Sequence, residues 1–261
     1  MIPNYIHTNF FNYVLKKSNI YKKKINKNEV FKSMLNDLSV ISENKIMVPT
    51  YNYDFPKTQI YNVKKDISHV GSFSEFFRKK FIDSRSEVPI FSSCSNFKYY
   101  KKKNIFNKID LFGDNSDFSF LLKQNGNIIN FEVDFAPTFI IFIERNISNN
   151  IIYRYFKEID GRIISSKINK LVTANLFVKP RKIEISYDLK KIKNDLSKNK
   201  ILKKKNFNGF DYEIYNSCDF FDFCIKKIKQ DNLYFLDKKS KLKLKKKNIS
   251  IKNKSIIKFY D

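Results

Sequence analysis

The sequence lacks tryptophan and has only three Cys, five Gly and two His among 261 residues. Cys94, Cys218 and Cys224 form no C-x-x-C pair and are odd in number, so we expect neither a disulfide framework nor a zinc site. No apolar run approaches the roughly 20 residues of a membrane span. No basic region precedes an apolar core near Met1, so we expect no signal peptide. These absences predict a metal-free cytoplasmic protein.

Carboxylates are scarce, with 26 Asp and Glu against 51 Lys and Arg, which gives a net charge of +25. Such a charge usually indicates an anionic partner. Here the excess is almost all Lys, together with many Ile, Asn and Phe, which is the mixture that an AT-rich genome imposes on any protein. A nucleic-acid binder more often uses Arg for bidentate contacts. We therefore expect a general affinity for phosphates and no nucleic-acid partner.

The apolar fraction of 42%, with 27 Phe, is enough for a sizeable core. A strand at 4–6, helices at 10–21 and 28–38, and a buried strand at 46–48 give a β-α-α-β opening, with Asn28 as the cap of the second helix. This opening predicts an α/β fold, a layered mixed sheet flanked by helices.

The remaining elements complete one compact unit. We expect a loop over 51–66, a hairpin turning at Asp160-Gly161, and a solvated Lys/Tyr surface at 98–103. Further helices are expected at 73–81, 116–122, 189–202 and 219–236, and further strands at 90–93, 127–133 and 171–178. The predicted division is a domain at 1–237 and a Lys-rich C-terminal tail at 238–261. That tail holds ten Lys and one Asp, so it should be solvated and poorly fixed.

Three short polar motifs stand at the ends of apolar runs. His7-Thr8-Asn9 follows the first strand, where a helix start can bind an anion or be capped in the ordinary way. Ser72 and Glu75 have the spacing of a capping box, at another helix start that can hold a phosphate. Arg85 is one of six Arg among 45 Lys, which suggests that a planar donor was needed; the alternative is a surface or carboxylate-paired Arg.

An ordered set of motifs resembles the aminoglycoside 3-N-acetyltransferase family, AAC(3)-like, and within it the members found among sugar-modification genes. The likeness runs from about residue 4 to 236. Its motifs are His7-Thr8-Asn9, Met47-Val48-Pro49-Thr50-Tyr51, the run from Gly71 to Arg78, Arg85-Ser86 with Pro89 and Ser92, Phe112-Gly113, Thr138-Phe139 with Glu144, and Tyr153-Arg154 with Lys157.

The resemblance implies an acyl-CoA-dependent N-acyltransferase with an α/β fold distinct from the GNAT acetyltransferases. Acetyl-CoA would be the acyl donor, and an amino sugar or aminoglycoside-like molecule the acceptor. An acidic groove for a polycationic drug is not expected from so few carboxylates, and a homo-oligomer is left open. The residues that the resemblance places around the cofactor are His7, Thr8, Asn9, Ser72, Arg85 and Ser86.

Two departures from the family pattern concern the chemistry. The family's base His, three residues before Glu144, is Ile141 here, and the His before Pro89 is Val88. Either Glu144 takes the proton itself, or His69 substitutes, or the acceptor amine is already neutral. The alternative for Glu144 is an ion pair with Arg145 or Arg154. If catalysis is lost, the chain is an inactive relative that binds CoA or a partner.

Overall fold

The computed structural model describes residues 2–21, 26–98, 107–166 and 168–261, and shows two mixed sheets flanked by helices. The strands are β1 (Asn4–Thr8), β2 (Ile46–Pro49), β3 (Ile60–Asn62), β4 (Ser93–Ser95), β5 (Lys108–Asp110), β6 (Asn127–Phe131), β7 (Tyr155–Ile164), β8 (Asn169–Val178), β9 (Lys203–Phe207) and β10 (Phe210–Asn216). The α-helices are α1 (Phe10–Tyr21), α2 (Lys27–Ile41), α3 (Phe55–Thr58), α4 (Ser72–Lys80), α5 (Asp117–Lys123), α6 (Thr138–Asn146), α7 (Leu189–Lys198), α8 (Ser217–Gln230) and α9 (Lys238–Lys246).

The larger sheet has the strand order β4-β2-β1-β6-β10-β9. β1 lies between β2 and β6 and is parallel to both, while β4 and β10 flank them in antiparallel orientation. These parallel strands are largely buried on both faces, as expected of strands covered by helices on each side. The predicted β-α-α-β opening and the layered α/β class are confirmed.

Each face of this sheet carries its own aromatic core. On one face, Phe10 stacks on Phe31 at 4.3 Å between ring centroids, and Phe31 stacks on Phe76 at 4.8 Å, which joins α1, α2 and α4. On the other face, Phe139 of α6 contacts Phe118 of α5 at 5.9 Å and Phe220 of α8 at 5.8 Å. Both faces of the parallel strands are therefore covered.

The second sheet has the order β3-β7-β8-β5 and corrects two predictions. The predicted loop at 51–66 contains α3 and β3. β7 continues through Asp160-Gly161, and the chain turns later, where the Ser165 N–H bonds the Ile168 carbonyl oxygen at 2.7 Å. Gly161 permits close packing, since a Cβ there would lie 2.5 Å from the Gln59 carbonyl oxygen.

The helix caps and one strand also differ from prediction. Asn26, not Asn28, caps α2 through its side chain. Gly71 is the N-cap of α4 at φ +107°, and Glu75 bonds the Ser68 N–H at 2.8 Å, so Ser72 and Glu75 form no capping box. The strand expected at 90–93 begins at residue 93, because Ile90 adopts φ +67°, which a β-branched residue rarely does.

The C-terminal segment is ordered, which corrects the expectation of a poorly fixed tail. Residues 238–261 form α9 and a 3-10 helix at Lys254–Tyr260, and Leu244, Ile249 and Ile257 are buried in the main core. The division into 1–237 and 238–261 stays a prediction. Of the Lys/Tyr surface predicted at 98–103, residues 99–103 lie outside the described residues.

Candidate functional site

The carboxyl ends of β1, β2 and β6 meet at one edge of the larger sheet, at Thr8, Pro49 and Phe131. In open α/β sheets, ligands bind outside the carboxyl ends of parallel strands. The segments that leave this edge are 7–9, 50–53 and 132–138, and we call them together the strand-end site. Two of the predicted motifs, His7-Thr8-Asn9 and Thr50-Tyr51, belong to it.

His7 is half-buried at the end of β1, with its ring edge-on to Tyr5 at 5.4 Å between centroids. Burial lowers the pKa of His7 to about 4, so its imidazole is neutral at pH 7. Within the described part of the chain, the imidazole has no hydrogen-bond partner. A neutral imidazole at a strand end can accept a proton, and burial makes this one a weak base.

A hydrogen-bonded pair of phenols joins β1 to the segment after β2. The Tyr5 and Tyr51 hydroxyls lie 2.9 Å apart. Tyr51 also hydrogen-bonds Thr138, the first residue of α6. Burial raises the pKa of Tyr51, so the hydroxyl stays protonated. The phenol pair thus ties β1, the segment after β2 and the start of α6 to one another beside His7.

Two further helix starts lie near the same edge. Asn9 caps α1, because its Oδ1 accepts from the Asn12 N–H at 3.1 Å, which is the ordinary capping alternative. Thr8 is half-buried between His7 and this cap. Ser72 is exposed at the first position of α4, and the His69 N–H just before it bonds the Tyr51 carbonyl oxygen at 2.8 Å.

Arg85 does not present its donors to solvent. Its guanidinium is buried and donates to the carbonyl oxygens of Thr50 at 2.7 Å, Val63 at 3.1 Å and Asp66. The prediction of a planar, multidentate donor describes this geometry, but the acceptors are main-chain carbonyls. Arg85 therefore fixes the 50–66 segment, and a contact with a cofactor phosphate does not fit this environment.

Ser86 is likewise part of the buried framework. Its hydroxyl donates to Asp117 Oδ2 at 2.7 Å, and the same oxygen accepts from the backbone N–H and the hydroxyl of Ser93. Ser86 and Asp117 are both buried. This arrangement ties α5 to β4 beneath the site, which accounts for Ser86 without a cofactor.

Glu144 lies in the core, fully enclosed at 0% exposure. Its oxygens accept from Arg154 Nε at 2.5 Å and from the hydroxyls of Tyr153 and Tyr187, each at 2.6 Å. Arg145 pairs with Asp110 instead. The predicted role of Glu144 as proton acceptor does not fit, because the carboxylate is enclosed in the core and both of its oxygens already accept hydrogen bonds. Of the alternatives left open by the sequence, the pair with Arg154 is the one formed.

His69, the predicted substitute base, lies in the loop before α4. Its Nδ1 accepts from the Tyr53 N–H at 3.3 Å, and its Nε2 is 3.4 Å from Asp54 Oδ2. Both ring nitrogens thus have local partners. Ile141 is half-buried on α6 and Val88 is buried. Both side chains are apolar, so neither can do the work of the His that the family has at that position.

The structure brings His7, Thr8 and Asn9 together at the strand ends, with Ser72 close to the same edge. It places Arg85, Ser86 and Glu144 in the buried framework. Sequence reasoning missed Asn130 and Glu213, which share a row of the sheet with His7. No sequence signal linked them, because strand register decides their proximity.

Residues 2–21, 26–98, 107–166 and 168–261 contain no group of three or more His, Cys, Asp or Glu that could hold a metal ion. In the same ranges, every helix is too short or too polar to cross a membrane.

No protein-family model and no curated protein matches the chain. Solved structures do. The YokD protein from Bacillus subtilis is similar with a TM-score of 0.62, covering 86% of this chain and 91% of that one at 13% identity. A binary complex of AAC-IIIb with CoASH has a TM-score of 0.63, covering 88% and 90% at 10% identity.

A third similar structure is a variant of the aminoglycoside acetyltransferase AAC(3)-IVa in complex with apramycin. Its TM-score is 0.61, covering 90% of this chain and 88% of that one at 11% identity. The chain therefore has the mixed α/β fold of the AAC(3) aminoglycoside acetyltransferases. The resemblance read from the motifs is confirmed at the level of the fold, which is what identities this low establish.

The buried phenols predict a sharp alkaline transition. Burial raises the pKa of Tyr51, Tyr61 and Tyr215 above the ordinary value of 10. Their contribution to stability is full below pH 10 and is lost as the pH rises beyond it, because the unfolded chain ionises first. We expect absorbance at 295 nm to show exposed phenols titrating near pH 10. The buried phenols should ionise only together with loss of circular dichroism; their ionisation in the folded protein would contradict the geometry.

Proposed function

We propose that this protein transfers an acyl group from an acyl-CoA, with acetyl-CoA as the simplest donor, to an amino group of an amino sugar in the cytoplasm. The observation that carries the proposal is the shared fold, since one structure of that fold is a CoASH complex aligned over 88% of this chain. The strand-end site supports it with the types of group that the reaction needs.

The cofactor would lie against the helix starts at the strand ends. Thr8, Asn9 and the exposed Ser72 stand at the ends of elements whose free N–H groups attract phosphates. The net charge of +25 adds a long-range attraction for the anionic cofactor. His7 would border the thioester end, close to the Tyr5–Tyr51 pair.

The acceptor would be an amino sugar with few charges. A polycationic aminoglycoside needs an acidic surface, and the chain has 26 carboxylates, of which Glu144, Asp117 and Glu75 are engaged in buried or partly buried bonds. A single neutral amine on a sugar avoids the repulsion by the cationic surface.

A second candidate is a protein that binds CoA or a partner without catalysis. Ile141 and Val88 favour it, because a hydrocarbon moves no proton, and loss of a well-placed general base costs about 10²–10⁴-fold in rate. The two candidates differ in turnover, and CoA binding is shared only if CoA is the ligand of the second.

Thiol release is the test of the proposal. The purified protein is incubated with acetyl-CoA and a panel of amino sugars, free and nucleotide-linked, and CoASH is followed with a thiol reagent. We expect release that requires both substrates. CoA binding without release for any amine would select the non-catalytic candidate, and absence of both would contradict the two together.

A single substitution tests the predicted phosphate contact at α4. Ser72→Glu places a carboxylate at the exposed helix start, where it stabilises the helix by about 0.3–1 kcal/mol through the helix dipole. The same charge should repel a bound phosphate and weaken CoA binding by on the order of tenfold. Calorimetry and thermal unfolding measure the two effects, and Ser72→Gln is the neutral control. If the affinity of Ser72→Glu for CoA is unchanged, the phosphates do not bind at the start of α4.

A further inference from the structure

We propose that His7 is the proton acceptor of the acylation, in a row across the sheet with Asn130 and Glu213, whose free polar atoms are completed when acyl-CoA binds. This inference rests on the proposed function and names the group that does the work which the family pattern assigns to position 141. It follows from strand register, burial and unpaired polar atoms.

The three side chains form one row across the larger sheet. His7 of β1 is in register with Asn130 of β6, and Asn130 is in register with Glu213 of β10. Residues in register project from the same face, and neighbouring strands lie about 4.8 Å apart. The imidazole, the amide and the carboxylate are therefore successive neighbours on the face that also carries Tyr5.

Part of this row is buried without partners. Asn130 is 1% exposed, and its Nδ2 has no hydrogen-bond partner among the described residues. Glu213 is also buried; its Oε1 pairs with Lys193 Nζ at 2.6 Å, while its Oε2 has no partner in the same part of the chain. A buried polar atom without a partner destabilises the fold, because it has lost its hydrogen bonds to water and gained none. Two such atoms beside an unpaired imidazole indicate a site that is completed when something binds.

The surroundings of His7 keep it neutral until a proton arrives. The pKa of His7 is lowered to about 4 by burial. Near the row, Glu213 pairs with Lys193, and Glu132 pairs with Lys16, which also contacts Asp211, while Asp134 after β6 is exposed. Burial alone shifts the His7 pKa, so the imidazole is unprotonated throughout the neutral range.

The transfer of the acyl group from the thioester to the amine balances in bonds and protons. A neutral amine nitrogen attacks the thioester carbon, and the N–C bond forms while the C–S bond breaks. The proton lost by the nitrogen passes to the His7 imidazole and then to the departing sulfur, which leaves as CoASH. Asn130 is the neighbour of His7 in the sheet, and Glu213 lies one strand further along the same row.

Substitution of His7 tests the inference through turnover. His7→Gln should lower kcat by about 10²–10⁴-fold while CoA binding is retained. His69→Gln, at the only other His of the chain, should lose far less. If His7→Gln keeps the kcat of the wild type, the inference is overturned and the proposed function is unaffected. Failure of the wild type to release thiol with any amine removes the proposed function, and this inference with it.

Proton NMR of the two imidazoles gives a readout that does not depend on folding of a variant. In the wild type, the His7 signal should stay in its neutral position down to pH 5, and CoA should shift it more than the His69 signal. A His7 signal that titrates near pH 6.5 and ignores CoA overturns the inference.

Discussion

Replacing Glu144 by Gln should destabilise the protein by about 3–5 kcal/mol, because the change leaves Arg154 as an uncompensated charge in the core. Native domains have only about 5–15 kcal/mol of stability, so the variant should be close to unfolding at 37 °C. Arg154 also donates to the Phe177 carbonyl oxygen at 2.8 Å and to the Tyr187 hydroxyl at 2.7 Å. The substitution therefore removes the carboxylate that accepts from Arg154, Tyr153 and Tyr187. Urea unfolding followed by circular dichroism measures the effect.

The control is Glu184→Gln, an exposed carboxylate with lysine partners, where little change is expected. The double variant Glu144→Gln with Arg154→Met should recover stability relative to the single variant, since it removes the unpaired charge. A stable Glu144→Gln variant that binds CoA but has lost turnover would contradict the structural role and show that Glu144 takes part in the reaction.

Replacing Arg85 by Lys should cost about 3 kcal/mol even though the charge is kept, because each buried carbonyl left without a donor costs about 1–3 kcal/mol. A lysine ammonium has three donors at one point and cannot reach the carbonyls of Thr50, Val63 and Asp66 with the spread of a guanidinium. The guanidinium carbon of Arg85 lies 5.2 Å from the centroid of the Tyr61 ring, and this contact would be lost as well.

The Arg85 variant should also loosen the segment that carries Tyr51. Limited proteolysis is expected to cut within 50–66 much faster than in the wild type. The urea midpoint of unfolding should also be lower than that of the wild type. Arg181→Lys, at an exposed Arg, is the matched control and should change neither. Full protection of 50–66 in Arg85→Lys would show that other contacts hold the segment.

The opening of the fold could be read from the sequence because its signals are local. The apolar runs at 4–6 and 46–48 and the helical stripes between them are spaced as parallel strands with crossover helices require. The position of His7-Thr8-Asn9 at a strand end follows from the same pattern. The site edge was thus predictable from residues that lie within one βα unit.

The features that could not be predicted depend on contacts between distant parts of the chain. Nothing near Arg85 in sequence shows that its acceptors are carbonyls at 50, 63 and 66. The row of His7, Asn130 and Glu213 joins strands more than 80 residues apart, and a shift of one residue in register would turn each side chain to the other face. Asp160-Gly161 has the composition of a turn but is held in a strand by the approach of Gln59.

Calorimetric titration of the wild type with CoA tests most directly whether the strand-end site is an acyl-CoA site. The account predicts saturable binding of one CoA per chain, displaced by acetyl-CoA and not by inorganic triphosphate at the same charge. If the heat is absent at millimolar CoA, or if triphosphate competes equally, the interaction is only that of a cationic surface with an anion, and the account is contradicted.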